Sequence, residues 1–162
     1  MTDKSPAELD SLDRRLLNEL QRDCMQTHQE LAERLHASAP TCFRRVRRLV
    51  ESGVIERRIA IVAPEAVGRI DGHGLTALVE ASLDRQSAEA LDAFERRVAD
   101  EASVQQCYRI SSGPDFLLVV YVRDMPDYHA FVHRVLSAEA NVRNVRTFFS
   151  VHRSKFEPRI PV

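Results

Sequence analysis

"APTCFRRVRRLVESG", Ala39 to Gly53, sets four arginines, Arg44, Arg45, Arg47 and Arg48, into five positions around Val46. The whole chain of 162 residues carries a net charge of only −1, so positive charge at this density needs a local reason. At about 100° per residue, Cys42, Val46 and Leu49 share one side of a helix, with Phe43 and Val50 on its flank. That side faces a core. Thr41, Arg44, Arg47 and Arg48 project from the other side, while Arg45 falls near the apolar boundary, where an intramolecular pair would suit it. Ser38 is placed to cap this helix, Pro40 is tolerated in its first turn, and Ser52-Gly53 ends it.

Working outward, "THQELAERL" has Thr27 and Glu30 at capping-box spacing, then Leu31 and Leu35 at i, i+4 with the small Ala32 between them. "LDSLDRRLLNELQ" lines up Leu9, Leu12, Leu16 and Leu20 as one apolar stripe. Only "HAS" separates the second helix from the third, which makes a helix-turn-helix pattern. "VIERRIAIV" follows and suits a short wing or linking strand; it adds Arg57 and Arg58. From Thr41 to Arg58 there are six arginines against Glu51 and Glu56, a local surplus of four. A helix with short polar residues at its start and guanidiniums along one side fits the major groove of duplex DNA, where arginine can bond guanine edges and grip phosphates. Ser38, Pro40, Thr41, Arg44, Arg45, Arg47, Arg48, Arg57 and Arg58 are therefore the candidate DNA-binding residues.

Composition bounds the alternatives. Near-zero net charge argues against a protein that coats nucleic acid indiscriminately, so any such site is local. Cys24, Cys42 and Cys107 are scattered and odd in number, which fits reduced thiols and a cytoplasmic chain better than disulfides or zinc. No signal-peptide core and no apolar run of bilayer length is present, so no membrane role is expected. His129 and His133 are four apart on an expected helix, but nothing supplies a third ligand, so no metal and no cofactor is expected.

"APEAVGRIDGHG", with Pro64, Gly68, Gly72 and Gly74, reads as a connector. Beyond it, "LTALVEASL" alternates as a strand, Ser87 caps "AEALDAFERRVAD", and "VQQCYRI" and "FLLVVYV" are strands around the turn "SSGPD". "DMPDYHAFVHRVL" is a second helix, with Asp124 or Asp127 near its positive end, and "VRNVRTFFSVH" is a last strand. The order predicts an α+β sandwich with helices on one side of a sheet. "FLLVVYV" is apolar on both faces, so a second subunit is expected to cover the open one, giving a homodimer and an inverted-repeat operator.

These pieces, above all "S-x-x-x-C-x-x-R-V-R-R-L-x-x-x-G-V-I" at Ser38–Ile55 followed by "SSGPDFLLVVYVRDM", resemble the Lrp/AsnC family of bacterial and archaeal transcription regulators over almost the whole chain. The resemblance implies an α+β chain with a winged helix-turn-helix at 1–62, a hinge at 63–73, a βαββαβ ferredoxin-like domain at 74–152 and a tail at 153–162. It further implies assembly of dimers into tetramers or octamers, and an amino-acid effector held between dimers. Carried over by position, the effector residues are Ser111, Ser112, Gly113, Pro114, Asp115, Arg109, Met125, Phe148, Phe149 and Ser150, beside Phe116. Two positions depart from the family. His36 stands where glycine is usual, and histidine tolerates the left-handed backbone better than most residues. Ser112-Gly113-Pro114-Asp115 replaces a frequent Gly-Asp-x-Asp: either backbone N–H groups and Asp115 still hold an amino acid, or Pro114 has stiffened a turn that binds nothing. The leading reading is a sequence-specific regulator. An architectural DNA-binding protein, and a small-molecule enzyme or carrier built on the second domain, are the alternatives.

Overall fold

The computed structural model describes residues 8–64, 66–67 and 74–162. It divides into two units, Met1–Ile61 with Lys155–Val162, and Val62–Ser154. Most of the connector, with Gly68 and Gly72, lies outside the described residues.

In the first unit α1 (Ser11–Arg22), α2 (His28–Leu35) and α3 (Ala39–Glu51) pack around Leu16, Leu31, Leu35, Cys42 and Val46. Each leucine enclosed this way contributes about 1.5–3 kcal/mol. The helix starts are set by side chains that satisfy otherwise orphaned N–H groups. Asp10 caps α1: its Oδ1 accepts from the Leu12 and Asp13 N–H groups at 2.9 Å each, and Asp13 Oδ2 accepts from the Asp10 N–H at 3.2 Å. Thr27 and Glu30 form the expected capping box on α2, with the Thr27 N–H donating to Glu30 Oε2 at 2.7 Å. His36 takes the left-handed conformation (φ 53°, ψ 49°) between α2 and α3, so the turn is made without glycine. Gly53, at φ 78°, ends α3, and its N–H donates to Val50 O at 3.0 Å. Phe43 and Val50 are more exposed than flank positions would suggest, at 52% and 45%.

"VIERRIAIV" forms no strand among the described residues, and Ile59, Ile61 and Val62 are exposed. β-Branched residues alone do not make a strand; a ladder partner is required, and the described chain offers none. The last residues return to the first unit. Gln21 clasps Ile160 through both backbone groups, donating to its O at 2.9 Å and accepting from its N–H at 2.8 Å, and Asn18 donates to Val162 O at 3.1 Å.

The second unit runs β1 (Leu75–Leu83), α4 (Ala88–Ala99), β2 (Val104–Arg109), β3 (Phe116–Val122), α5 (Met125–Phe131) and β4 (Val142–Phe149). The sheet order is β2-β3-β1-β4, every pair antiparallel, which is the ferredoxin-like arrangement. Ala77, Val79, Ala81, Leu83, Phe116, Leu118 and Val120 point under the helices and are buried against Phe94, Val98, Phe131 and Leu136. Asp124 caps α5 by accepting from the Asp127 N–H at 2.9 Å. After Phe131 the helix continues π-wound over Val132–Ser137, and Arg97 from α4 donates to the Val135 and Arg134 carbonyls at 2.9 and 2.7 Å, satisfying acceptors near that end. On the opposite sheet face Leu78 lies between Val119 and Phe148, with Leu117, Tyr121 and Tyr108 around them. Among the described residues of this unit, no helix covers that face.

Candidate nucleic-acid interface and effector loop

α3 presents its candidate residues in two groups. Cys42, Val46 and Leu49 are buried, which turns Pro40, Arg44 and Arg47 outward. Ser38 accepts from the Thr41 N–H at 3.4 Å and donates its own hydroxyl to Thr41 Oγ1 at 2.9 Å, so the start of α3 is tied locally. Arg47 pairs with Glu51 along the helix at 2.7 Å, with both side chains largely in solvent, and Arg57 pairs with Glu56 at 2.8 Å. Among the described residues Arg44 and Arg58 have no acidic partner.

Arg45 and Arg48 differ. Arg45 Nη1 donates to Asp10 Oδ2 at 2.5 Å and to Asp13 Oδ1 at 3.0 Å, and Arg48 Nη2 donates to Asp13 Oδ2. The boundary position of Arg45 did foretell a pair. Arg48, expected to point outward with Arg44, instead reaches back to α1. The helical wheel placed it correctly about its own axis but could not say that an acid of α1 stands on that flank. Six arginines, less Asp10, Asp13, Glu51 and Glu56, leave a surplus of two over this region rather than four. The hydrogen bond from Arg45, aided by the Asp13 N–H, holds the Asp10 carboxyl down at about 2.

Asp13 is the residue that sequence reasoning missed. Its side chain is wholly buried. The signal was there: on α1 it falls between Leu16 and Leu20 on one side and Leu17 on the other, and a carboxylate on an apolar face must be paired. Phe43, expected on the flank of the core side, is instead half exposed and meets the His28 ring edge-on at 5.2 Å.

In the second unit the turn between β2 and β3 is exposed at Ser111, Ser112 and Gly113, with Gly113 at φ 89°. Asp115 is wired into the sheet: its N–H donates to Ala81 O, its O accepts from the Ile110 N–H, and its Oδ2 accepts from the Leu83 N–H at 2.7 Å. Arg109 lies over the Phe116 ring and is held by Asp92 and Glu95 of α4 at 2.6 and 2.8 Å. The remaining effector candidates are elsewhere. Phe116 pairs with Ala81, whereas Phe149 pairs with Ala77 and the Ser150 N–H donates to Thr76 O; Met125 follows Val122, which pairs with Leu75. Four residues of strand separate the two groups by about 13 Å. One chain therefore does not bring Met125, Phe148, Phe149 and Ser150 to the turn, because antiparallel register sends the end of β4 to the far end of β1.

A cavity of about 540 Å³ opens at that far end, bordered by Gly74, Tyr121, Phe131 and Arg134. Its charges are mutually engaged, Arg134 with Glu101 at 2.9 Å and Arg123 with Asp127 at 3.5 Å. Burial pushes the Cys42 and Cys107 thiols up, and Glu95 adds to the effect at Cys107, so neither is primed as a thiolate. Among the described residues no three of His, Cys, Asp and Glu converge as a metal site, and no helix is long and apolar enough to cross a membrane.

Comparison with known proteins agrees with this geometry. Residues 9–56 match a winged helix-turn-helix DNA-binding domain, and residues 76–160 match the Lrp/AsnC ligand binding domain. An uncharacterized HTH-type transcriptional regulator of Haemophilus influenzae is 41% identical over 152 residues, covering 94% of this chain and 88% of that protein. The crystal structure of an AsnC family regulator from Agrobacterium tumefaciens superposes with a TM-score of 0.82 at 33% identity, over 94% of this chain and 97% of that one. A Neisseria meningitidis regulator crystallised as a complex with L-methionine gives 0.81 at 27% identity, over 95% and 97%.

Proposed function

Because the chain belongs to the Lrp/AsnC family of transcriptional regulators, a class that is not enzymatic, we propose that it reads specific duplex DNA in the cytoplasm as a homodimer or higher assembly. In this reading α3 enters the major groove with Pro40, Arg44 and Arg47 toward the bases, while Ser38, Thr41, Arg57 and Arg58 lie within reach of the backbone. The observation that carries it is the outward Arg44, without an acidic partner among the described residues, on a helix whose other side is locked into a core.

The open sheet face is the dimer surface in this proposal. Leu78, Leu117, Val119, Tyr121 and Phe148 form a contiguous apolar patch that burial against a second copy would remove from water. Two copies related by a two-fold axis present two reading helices, which calls for an inverted-repeat operator.

The second unit takes an amino acid or a related small molecule in this reading. The turn Ser111–Asp115 of one copy meets Met125, Phe148, Phe149 and Ser150 of another, since a single chain keeps these groups apart. The methionine complex of the Neisseria relative favours an effector of this class. Asp115, already engaged by Leu83, contributes shape more than a free charge.

Selection of bound duplexes from a randomised pool tests the reading. Enrichment of an inverted repeat is expected. Tight binding with no enriched sequence would instead make the protein architectural.

A further inference from the structure

We propose that Asp13 is a positioning residue that sets the charge α3 offers to DNA, holding Arg45 and Arg48 back against α1. The proposal rests on the DNA-binding reading above and adds a division of labour among the four arginines of the helix.

The division follows from where each acid partner lies. Glu51, the partner of Arg47, is 61% exposed in its side chain; a pair in water is weak and yields readily to a phosphate. Asp13 is 0% exposed. Burying a carboxylate there is costly unless it is paired and hydrogen-bonded. Its Oδ1 receives Arg45 Nη1, and its Oδ2 receives Arg48 Nη2 and the Asp10 N–H. Moving either guanidinium to a phosphate would strip a donor from a buried anion, a penalty that Arg44 and Arg47 do not face. Arg48 is thus committed although its side chain is still 48% exposed. The bridges span 32 and 35 positions of sequence, so they also fix the roll of α3 about its axis relative to α1. Asp10 completes the set, and two acids against two bases leave this flank of α3 electrically neutral.

The test is the salt dependence of binding to a labelled mixed-sequence duplex of about 30 base pairs, followed by anisotropy between about 50 and 200 mM KCl, where each phosphate contact contributes a slope of about 0.9 in log K against log salt. On such a duplex, which offers no selected operator, binding is through phosphates and Arg44 grips one of them, so Arg44→Gln is expected to lower the slope by about 0.9 and Arg48→Gln to leave it at the wild-type value. Asp13→Asn, nearly isosteric, is expected to steepen it by about 0.9 for each guanidinium released, and adding Arg48→Gln to remove the Arg48 share. A merely structural Asp13 would weaken binding without steepening the slope, and that result overturns the proposal. If Asp13→Asn fails to fold by circular dichroism, Arg48→Gln decides alone: a slope that falls as it does for Arg44→Gln overturns the proposal, and an unchanged slope supports it. Wild-type protein that shows no salt-dependent binding overturns the DNA-binding reading and this proposal together, whereas a normal wild-type slope with a fall in Arg48→Gln overturns this proposal alone.

Discussion

Leu78→Ala tests the assembly through a residue at the centre of the open sheet face. Leu78 pairs across the sheet with Val119 on one side and Phe148 on the other, and 39% of its surface is exposed in the single chain. Full burial of a leucine is worth about 1.5–3 kcal/mol, so covering the exposed part contributes about 0.6–1.2 kcal/mol per copy. A two-fold interface uses each residue twice, which makes the loss about 1.2–2.4 kcal/mol per dimer. Alanine keeps a little of that contact, so the dimer dissociation constant should rise roughly 5- to 50-fold. Sedimentation velocity over a dilution series measures it directly. The fold of the isolated chain should survive, because Leu78 points away from the core that Ala77 and Val79 enter beneath the helices. A dissociation constant unchanged within about twofold, at an assay precision well inside the 1.4 kcal/mol per tenfold scale, would refute this face as the interface.

Three further outcomes are expected. Arg44→Ala should weaken binding to a selected operator by about 1–3 kcal/mol if Arg44 bonds a base edge, and an operator titration showing equal affinity would place the reading surface elsewhere. The folded-state pKa of Asp10 is depressed to about 2 from an ordinary value of 3.8. Its contribution to stability is therefore complete above the ordinary value and lost as pH falls through about 2. Acid titration of Asp10→Asn should lack that component, and a profile matching wild type would remove the Arg45 bond as its cause. An amino-acid effector present at about a hundred times its dissociation constant should add about 2.7 kcal/mol to stability; a melting-temperature screen of the common amino acids with no shift would leave Pro114 as the mark of a turn that binds nothing.

Much of the fold was legible because its signals are local. The Thr27–Glu30 box, the Ser38 cap and the Ser87 cap each involve residues three apart, and each is present. Cys42, Val46 and Leu49 recur at helical spacing and are buried; the strand "FLLVVYV" alternates buried and half-buried as a two-sided apolar strand should. The tight turn tolerated His36 because a left-handed φ of 53° is open to histidine at modest strain. "VIERRIAIV" misled for the complementary reason: composition suggests a strand, but pairing is a long-range event.

The sequence by itself determined three helices, a βαββαβ order, the outward side of α3 and the family to which the chain belongs, since caps, periodicities and motifs act over a few residues. Only the tertiary structure decided that Asp13 reaches Arg45 and Arg48 across more than thirty positions, and that antiparallel register parts Phe148 and Phe149 from the Ser111–Asp115 turn. A helical wheel orients a side chain about its own axis and nothing more. Which neighbour waits there, and so whether an arginine is left for DNA or already held by an acid, depends on how the helices pack against one another.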